Sequence, residues 1–141
     1  MERLYTLKTY PSGGGREVCR TLEICGADTL DDLCMAILQA FDFYHEHLYE
    51  FCMDNRMYQD GNYQSDPEME DDPSTDIALD SLGLVKGQKF SLHYDFGDDW
   101  MFPIRVMKIT DIEKYRKPAV IAKKGKIEQY PDYDEEDEDE E

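Results

Sequence analysis

The apolar residues between positions 30 and 41 constrain the fold of this chain more than any other feature. They recur at helical spacing, which gives a helix one apolar face that must be buried. These residues are Leu30, Leu33, Cys34, Ile37, Leu38 and Phe41. Thr29 stands directly before the series and Asp32 follows it three residues later, the spacing of an N-cap with a capping box. The segment is therefore predicted to be an amphipathic helix.

Segments on both sides of this helix alternate between apolar and polar residues, as strands with one buried face do. Residues 3–10 and 17–25 precede the helix and are predicted to form a hairpin, and residues 48–54 follow it as a further strand. The clearest alternation covers residues 90–106, interrupted by an Asp- and Gly-rich turn at 95–99. This pattern predicts a second β-hairpin.

Pro103 lies in the second strand of that hairpin. Because proline cannot donate a ladder hydrogen bond, the strand is predicted to lie at a sheet edge or to be bulged there. Residues 118–122 and 126–128 are predicted to add a last, weak hairpin. Together these elements describe an α+β fold, a mainly antiparallel sheet with one principal amphipathic helix packed on it. Their order also resembles a β-grasp, an analogy of fold that implies no function.

One domain is predicted over residues 1–131. Within it, residues 59–75 are polar and acidic and contain two prolines, so they are predicted to be a long exposed loop. Residues 132–141 are acidic except for Tyr133 and are predicted to be a disordered tail. No apolar run approaches a membrane span or a secretory signal, and the four cysteines lack metal-ligand spacing. A cytoplasmic protein with thiol cysteines is expected.

The net charge of −18 restricts the partners of the chain. Binding to nucleic acid needs a basic stripe, and the densest cationic stretch is only Lys123, Lys124 and Lys126. Direct nucleic-acid binding and attachment to an anionic membrane are therefore disfavoured. The charge is compatible with a basic protein or a cation as the partner, or with no charged partner at all. The oligomeric state stays open.

A candidate metal site surrounds the turn at 95–100. Hard cations prefer carboxylate oxygen and transition metals accept imidazole, so the candidate ligands are acidic residues and histidines. They are His47, His93, Asp95, Asp98 and Asp99. The favoured alternative needs no cofactor: the aspartates accept backbone hydrogen bonds within the turn, and Trp100 anchors the core.

A candidate protein-binding surface is suggested by aromatic residues and methionine near the long loop and the turn. Such side chains are enriched in protein interfaces. The candidate binding residues are Tyr44, Tyr49, Met57, Tyr58, Tyr94 and Trp100. The alternative is ordinary packing in the core and loop, since alternation already assigns Tyr49 to a strand face.

Two segments resemble the plasmid pRiA4b ORF-3-like family. The first runs from Cys19-Arg20 to Phe51, and the second is Tyr94-Asp95-Phe96-Gly97-Asp98-Asp99-Trp100 followed by Ile104-x-Val106. The similarity spans residues 3–120 and links the chain to plasmids and to passenger proteins of mobile elements, but it implies no particular activity. Two positions depart from the family pattern, because Cys19 replaces an aromatic residue and Phe43 stands where Trp is common.

No constellation of catalytic residues is evident in the sequence. The leading hypothesis is a non-enzymatic interaction module whose partner is a protein. The alternative is a metal-dependent enzyme or sensor that uses the acidic turn and a histidine.

Overall fold

The structure is a computed structural model that describes residues 1–12 and 17–130. The flexible turn predicted between the first two strands covers residues 11–15, and its glycines at 13–15 lie outside the described residues, as does the tail predicted at 132–141. Seven strands, one α-helix and a short 3-10 helix at Leu79–Leu82 occur in the described part. In chain order the strands and the helix are β1 (Glu2–Thr9), β2 (Cys19–Cys25), α1 (Leu30–Ala40), β3 (Tyr49–Cys52), β4 (Tyr63–Gln64), β5 (Lys89–Tyr94), β6 (Trp100–Ile112) and β7 (Ala119–Lys124).

All seven strands belong to one sheet in the order β4-β3-β5-β6-β1-β2-β7. Every neighbouring pair is antiparallel. The predicted hairpins are present as β1–β2 and β5–β6, and the long strand β6 joins them by pairing with β1. The sheet with its helix is an α+β fold, as the sequence predicted.

The predicted helix is confirmed, and its first turn has the capping box. The backbone N–H of Asp32 donates to Thr29 Oγ1 over 3.1 Å, and the backbone N–H of Thr29 donates to Asp32 Oδ2 over 2.9 Å. The apolar residues of α1 are buried in the same hydrophobic cluster as residues of the sheet, including Tyr5, Leu22 and Phe102. Burial of this face is the main force that holds α1 in place.

Arg20 interrupts the apolar face of β2, and the structure shows what it does there. The residue is only 5% exposed, and its guanidinium lies 4.7 Å from the centre of the Phe41 ring. Its Nε donates to the carbonyl oxygen of Ala40 over 2.8 Å, and one terminal nitrogen donates to the carbonyl oxygen of Lys124 over 2.9 Å. A cation is favourable at the carbonyl end of a helix, so Arg20 joins α1 to β7.

The prediction for Pro103 was wrong. Strand β6 lies inside the sheet between β5 and β1, and its pairing with β5 is regular at Pro103. The bulge in β6 occurs farther along, opposite Thr6 and Leu7. The carbonyl oxygen of Pro103 accepts the N–H of Tyr10, just beyond the end of β1. The nitrogen of Pro103, which carries no hydrogen, therefore faces the side on which β1 has already ended. The hydrogen-bonded ladder between β6 and β5 is intact.

The segment 59–75 is not wholly an exposed loop. It contains strand β4, which pairs with β3, and it buries Asn62 and Thr75. The backbone N–H groups of Gln64 and Thr75 donate to the carbonyl oxygens of Pro73 and Gln64. Polar residues can be buried here because their hydrogen-bonding groups find partners within the protein.

The last predicted hairpin is replaced by a single strand. Strand β7 pairs with β2 at one end of the sheet, and residues 126–128 form no strand. Within the described residues, no helix has the length and hydrophobicity that crossing a membrane requires.

Candidate functional site

A buried acid and a buried histidine face each other across two neighbouring strands. Glu50 of β3 pairs directly with His93 of β5, so both side chains project from the same face of the sheet. The His93 Nδ1 atom lies 2.7 Å from Glu50 Oε2, and both residues have 0% exposure. Ionised groups are rarely buried this completely unless they are paired.

The other ring nitrogen of His93 reaches a second carboxylate. His93 Nε2 lies 2.6 Å from Asp99 Oδ1, and the hydroxyl of Tyr58 donates to the same oxygen over 2.7 Å. Carboxylates only accept hydrogen bonds, and both imidazole nitrogens are donors only in the protonated ring. The ring of His93 is therefore held between two carboxylates, with one at hydrogen-bonding distance from each nitrogen.

Further donors saturate Glu50. Its Oε1 accepts from the side-chain amides of Asn62 over 3.0 Å and Gln64 over 2.7 Å, and its Oε2 accepts the backbone N–H of Tyr58 over 2.8 Å. Burial acts to raise the pKa of Glu50, but the hydrogen bonds from His93 and these donors outweigh it and lower the pKa below its usual value. Glu50 is thus held as a carboxylate inside the protein.

Asp99 and Tyr58 complete this network at its exposed end. Hydrogen bonds from Tyr58 and His93 lower the pKa of Asp99. The same contact with Asp99 raises the pKa of the Tyr58 hydroxyl to about 12. Both residues have positive φ angles, 53° for Asp99 and 59° for Tyr58, which are unfavourable for residues other than glycine. We call Glu50, His93, Asp99 and Tyr58 the histidine network.

A second cluster contains His47, at the end of the segment that leads into β3. His47 Nε2 lies 3.4 Å from Asp95 Oδ2 and 2.7 Å from the hydroxyl oxygen of Tyr130. Asp95 also accepts the backbone N–H groups of Gly97 and Asp98 over 3.0 and 3.3 Å, which is the geometry of an Asx turn. Asp95 therefore has the contacts predicted for a turn-forming residue.

The candidate metal ligands fall into two separate contacts. His93 meets Asp99 and His47 meets Asp95, while Asp98 is exposed. In residues 1–12 and 17–130 no group of three or more His, Cys, Asp and Glu side chains is arranged to hold a metal ion. Metal binding at this turn stays a prediction.

The candidate binding residues differ in their exposure. Tyr44 and Tyr58 are exposed, Met57 and Trp100 are half-buried, and Tyr49 and Tyr94 are buried. The hydroxyl of Tyr49 donates to Asp31 Oδ1 over 2.6 Å. The hydroxyl of Tyr94 accepts the backbone N–H groups of Glu46 and His47 over 2.8 and 3.2 Å and donates to the carbonyl oxygen of Tyr44.

These six residues do not form one surface. Tyr58 packs on the histidine network, with its ring centre 4.9 Å from that of His93 and 5.6 Å from that of Phe96. Trp100 pairs with Tyr94, one register position away from the pair of His93 and Met101, and therefore lies on the opposite face of the sheet. Its ring packs edge-on against Phe43 at 4.8 Å.

An open cleft of about 710 Å³ adjoins the histidine network. Its carboxylates come from Glu50 and from the segment 59–75, and among the residues that the structure describes neither Lys nor Arg lines it. The acidic lining residues are Glu50, Asp60, Asp66, Glu68 and Asp72. Tyr58 and Phe96 supply aromatic surface, and Gln59, Asn62 and Gln64 supply amides. We call this feature the acidic cleft.

The sequence analysis missed Glu50, Asn62 and Gln64. The signal for Glu50 was a single acid in the apolar run Tyr49-Glu50-Phe51-Cys52. Alternation placed it opposite Tyr49 and Phe51, on a face expected to meet solvent. No local pattern shows that residues 58–64 cover that face.

Fold and site together define a small α+β domain in which a buried Glu–His–Asp network adjoins an acidic cleft. The chain belongs to the plasmid pRiA4b ORF-3-like family, whose family model matches residues 3–132. Among solved structures it is similar to the crystal structure of a protein of unknown function from Methanosarcina mazei Go1. The two share 24% identity with a TM-score of 0.72, over 87% of this chain and 70% of that chain, which shows a common fold. A comparison with curated proteins finds no match.

Proposed function

We propose that this protein is a non-enzymatic interaction module that binds a positively charged segment of a partner protein in the acidic cleft. The proposal depends on one observation, that within residues 1–12 and 17–130 five carboxylates and no cationic side chain line the cleft. A concave surface lined by one sign of charge concentrates the electrostatic potential and attracts the opposite charge. The net charge of −18 adds a long-range attraction for positively charged partners.

The residues that would contact the partner are those at the rim. Glu50 already accepts hydrogen bonds from His93, Tyr58, Asn62 and Gln64, so its oxygens have little capacity left for a ligand. The exposed residues Asp60, Asp66 and Glu68 retain theirs, and exposed Asp72 uses one oxygen to accept the backbone N–H of Met69. They are therefore the residues that would pair with Lys or Arg of the partner.

Aromatic side chains would supply the apolar part of the contact. Tyr58 is 56% exposed and Phe96 is half-buried, and both line the cleft. Cations bind favourably over aromatic rings, and the stems of Lys and Arg pack on apolar surface. Asp99 and His93 hold the side chain of Tyr58 from behind, so this side chain loses little conformational entropy when a ligand contacts it.

A labelled peptide with alternating Lys and Gly provides the test, with fluorescence anisotropy as the measurement. We expect saturable binding that weakens as salt is added, and no binding of the matched Glu–Gly peptide. Asp66→Asn combined with Asp72→Asn should reduce affinity about tenfold, since each rim pair contributes about 0.5–1 kcal/mol.

The control is Asp111→Asn combined with Glu113→Gln, which removes the same charge from exposed positions outside the cleft. If both double variants lose affinity equally, net charge rather than the cleft explains the binding. Absence of binding to the Lys–Gly peptide at low salt would also contradict the proposal.

The alternative is a metal-dependent enzyme or sensor at His47, His93, Asp95, Asp98 and Asp99. A native mass spectrum of protein purified without chelator tests it. A bound divalent metal that is lost in Asp98→Asn would support this alternative against the interaction module. A cytosolic location, a protein partner and a β-grasp-like packing of α1 on the sheet remain part of our proposal.

A further inference from the structure

A second cavity lies away from the acidic cleft, between α1 and the segment that connects β6 to β7. It has a volume of about 340 Å³ and shares no lining residue with the cleft. Helix α1 contributes Met35, Ala36 and Ala40 to its wall, and Pro118 and Val120 lie opposite. Ligand sites for small molecules are concave, mainly apolar and of about this size, with few polar groups.

One polar group in this cavity has an unused hydrogen-bonding atom. Asp28 lines the cavity but is only 8% exposed. Its Oδ1 accepts the hydroxyl of Tyr115 over 2.8 Å, whereas its Oδ2 is buried and has no hydrogen-bond partner in the described part of the protein. Leaving such an acceptor unpaired is unfavourable, and more so if it is charged.

Backbone hydrogen bonds fix the main chain of Asp28 on both sides. The N–H of Asp28 donates to the carbonyl oxygen of Cys25 over 3.1 Å, and the carbonyl oxygen of Asp28 accepts the N–H of Leu79 over 2.9 Å. The residue therefore sits between the end of β2 and the 3-10 helix. A partner for Oδ2 must come to it.

The charges around the cavity favour a cation as that partner. Asp32 also lines the cavity, and burial together with the charges of Asp32 and Glu2 raises the pKa of Asp28 against the opposing hydrogen bond from Tyr115. Lys117 is the basic residue in the lining, and it forms no ion pair among residues 1–12 and 17–130. A ligand ammonium beside Asp28 would offset the cost of the buried carboxylate.

We propose that this cavity binds a small apolar molecule that carries a protonated amine, with the ammonium donating to Asp28 Oδ2 and the apolar part lying between Ala36 and Val120. Oδ2 is covered in the free protein, so neighbouring side chains must shift when the ligand enters. Tyr115, which donates to Oδ1 of the same carboxylate, is 48% exposed. This site is independent of the acidic cleft.

Phenethylamine is the probe, and its binding is followed by amide chemical shifts in 15N-labelled protein. We expect saturable shifts in α1 and in residues 115–120 at millimolar concentration. Phenylethanol, which has the same shape without the charge, should bind about tenfold more weakly, because a hydrogen bond to a charged group contributes about 1.5–3 kcal/mol. Equal binding of the two compounds would overturn the proposal.

Two variants locate the site. Asp28→Asn removes the charge and should weaken phenethylamine binding about tenfold. Ala36→Leu fills the cavity from a helix that tolerates leucine and should abolish the shifts even if Asp28→Asn is poorly folded. Tyr115→Phe removes the competing hydroxyl and should leave binding equal or stronger. Unchanged binding in Ala36→Leu, or no saturable shifts in the unaltered protein, would disprove the site.

Discussion

His93 Nδ1 lies 2.7 Å from Glu50 Oε2, and the two side chains have exposures of only 0% and 1%. The residues are 43 positions apart in the chain and become neighbours because β3 and β5 pair in the sheet. A buried acid and a buried histidine in contact depend on each other. Removing the carboxylate of Glu50 leaves His93 Nδ1 without this buried partner.

The first prediction follows from this dependence. Glu50→Gln keeps the shape of the side chain but removes the negative charge beside His93. We expect the free energy of unfolding to fall by about 3–5 kcal/mol, the usual cost of breaking a buried ion pair from one side. Urea denaturation measures it. Glu113→Gln, at an exposed position, should change stability by less than about 0.5 kcal/mol. Equal effects in the two variants would show that the Glu50–His93 contact contributes nothing.

The second prediction concerns acid. The pKa of Glu50 is lower in the folded protein than in the unfolded chain, so Glu50 contributes stability at pH values above its unfolded pKa of about 4.3. That contribution is lost as pH falls through the lower, folded pKa. The stability difference between the unaltered protein and Glu50→Gln should therefore shrink as the pH falls below about 5. A difference that grows below about pH 5 would refute the direction of this pKa shift.

The third prediction concerns the hydroxyl of Tyr94. Tyr94→Phe removes the acceptor for two backbone N–H groups, those of Glu46 and His47, and the donor to the carbonyl oxygen of Tyr44. We expect a loss of about 2–3 kcal/mol in thermal or urea unfolding, because several polar groups lose a partner together. Tyr44→Phe is the matched control, since Tyr44 is 68% exposed, and it should cost little. A mild effect of Tyr94→Phe would mean that water replaces the hydroxyl.

The fourth prediction tests the start of α1. Thr29→Ala removes the side-chain cap for the Asp32 N–H and should reduce stability by about 1 kcal/mol. Thr29→Ser retains the hydroxyl and should be close to the unaltered protein. Chemical denaturation of the three proteins gives both differences in one experiment. Similar losses for alanine and serine would point to the threonine methyl group rather than the cap.

Local patterns predicted the elements whose cause lies within a few residues. The helix at 30–41 and the hairpin around 95–99 were correct, because helical periodicity, capping and turn residues act between near neighbours. The errors concern partners that are distant in sequence. Pro103 is tolerated inside the sheet because β1 ends opposite it. Residues 59–75 are partly buried because Asn62 in this segment donates to the buried Glu50.

The candidate site divides in the same way. His93 and Asp99 were named as candidate metal ligands around one turn; they lie in contact, and metal binding there stays a prediction. Glu50 was not predicted, since its partner His93 is on another strand and its amide donors are in a segment expected to be a loop.

The sequence by itself determined the family, the amphipathic helix, the two hairpins and the acidic character of the chain. These depend on composition and on spacings of a few residues, which are visible in one dimension. Only the tertiary structure decided that Glu50, His93 and Asp99 form one network and that a buried oxygen of Asp28 has no partner among the described residues. The physical reason is that burial, and the hydrogen bonds a buried group must make, depend on which distant segments the sheet brings together.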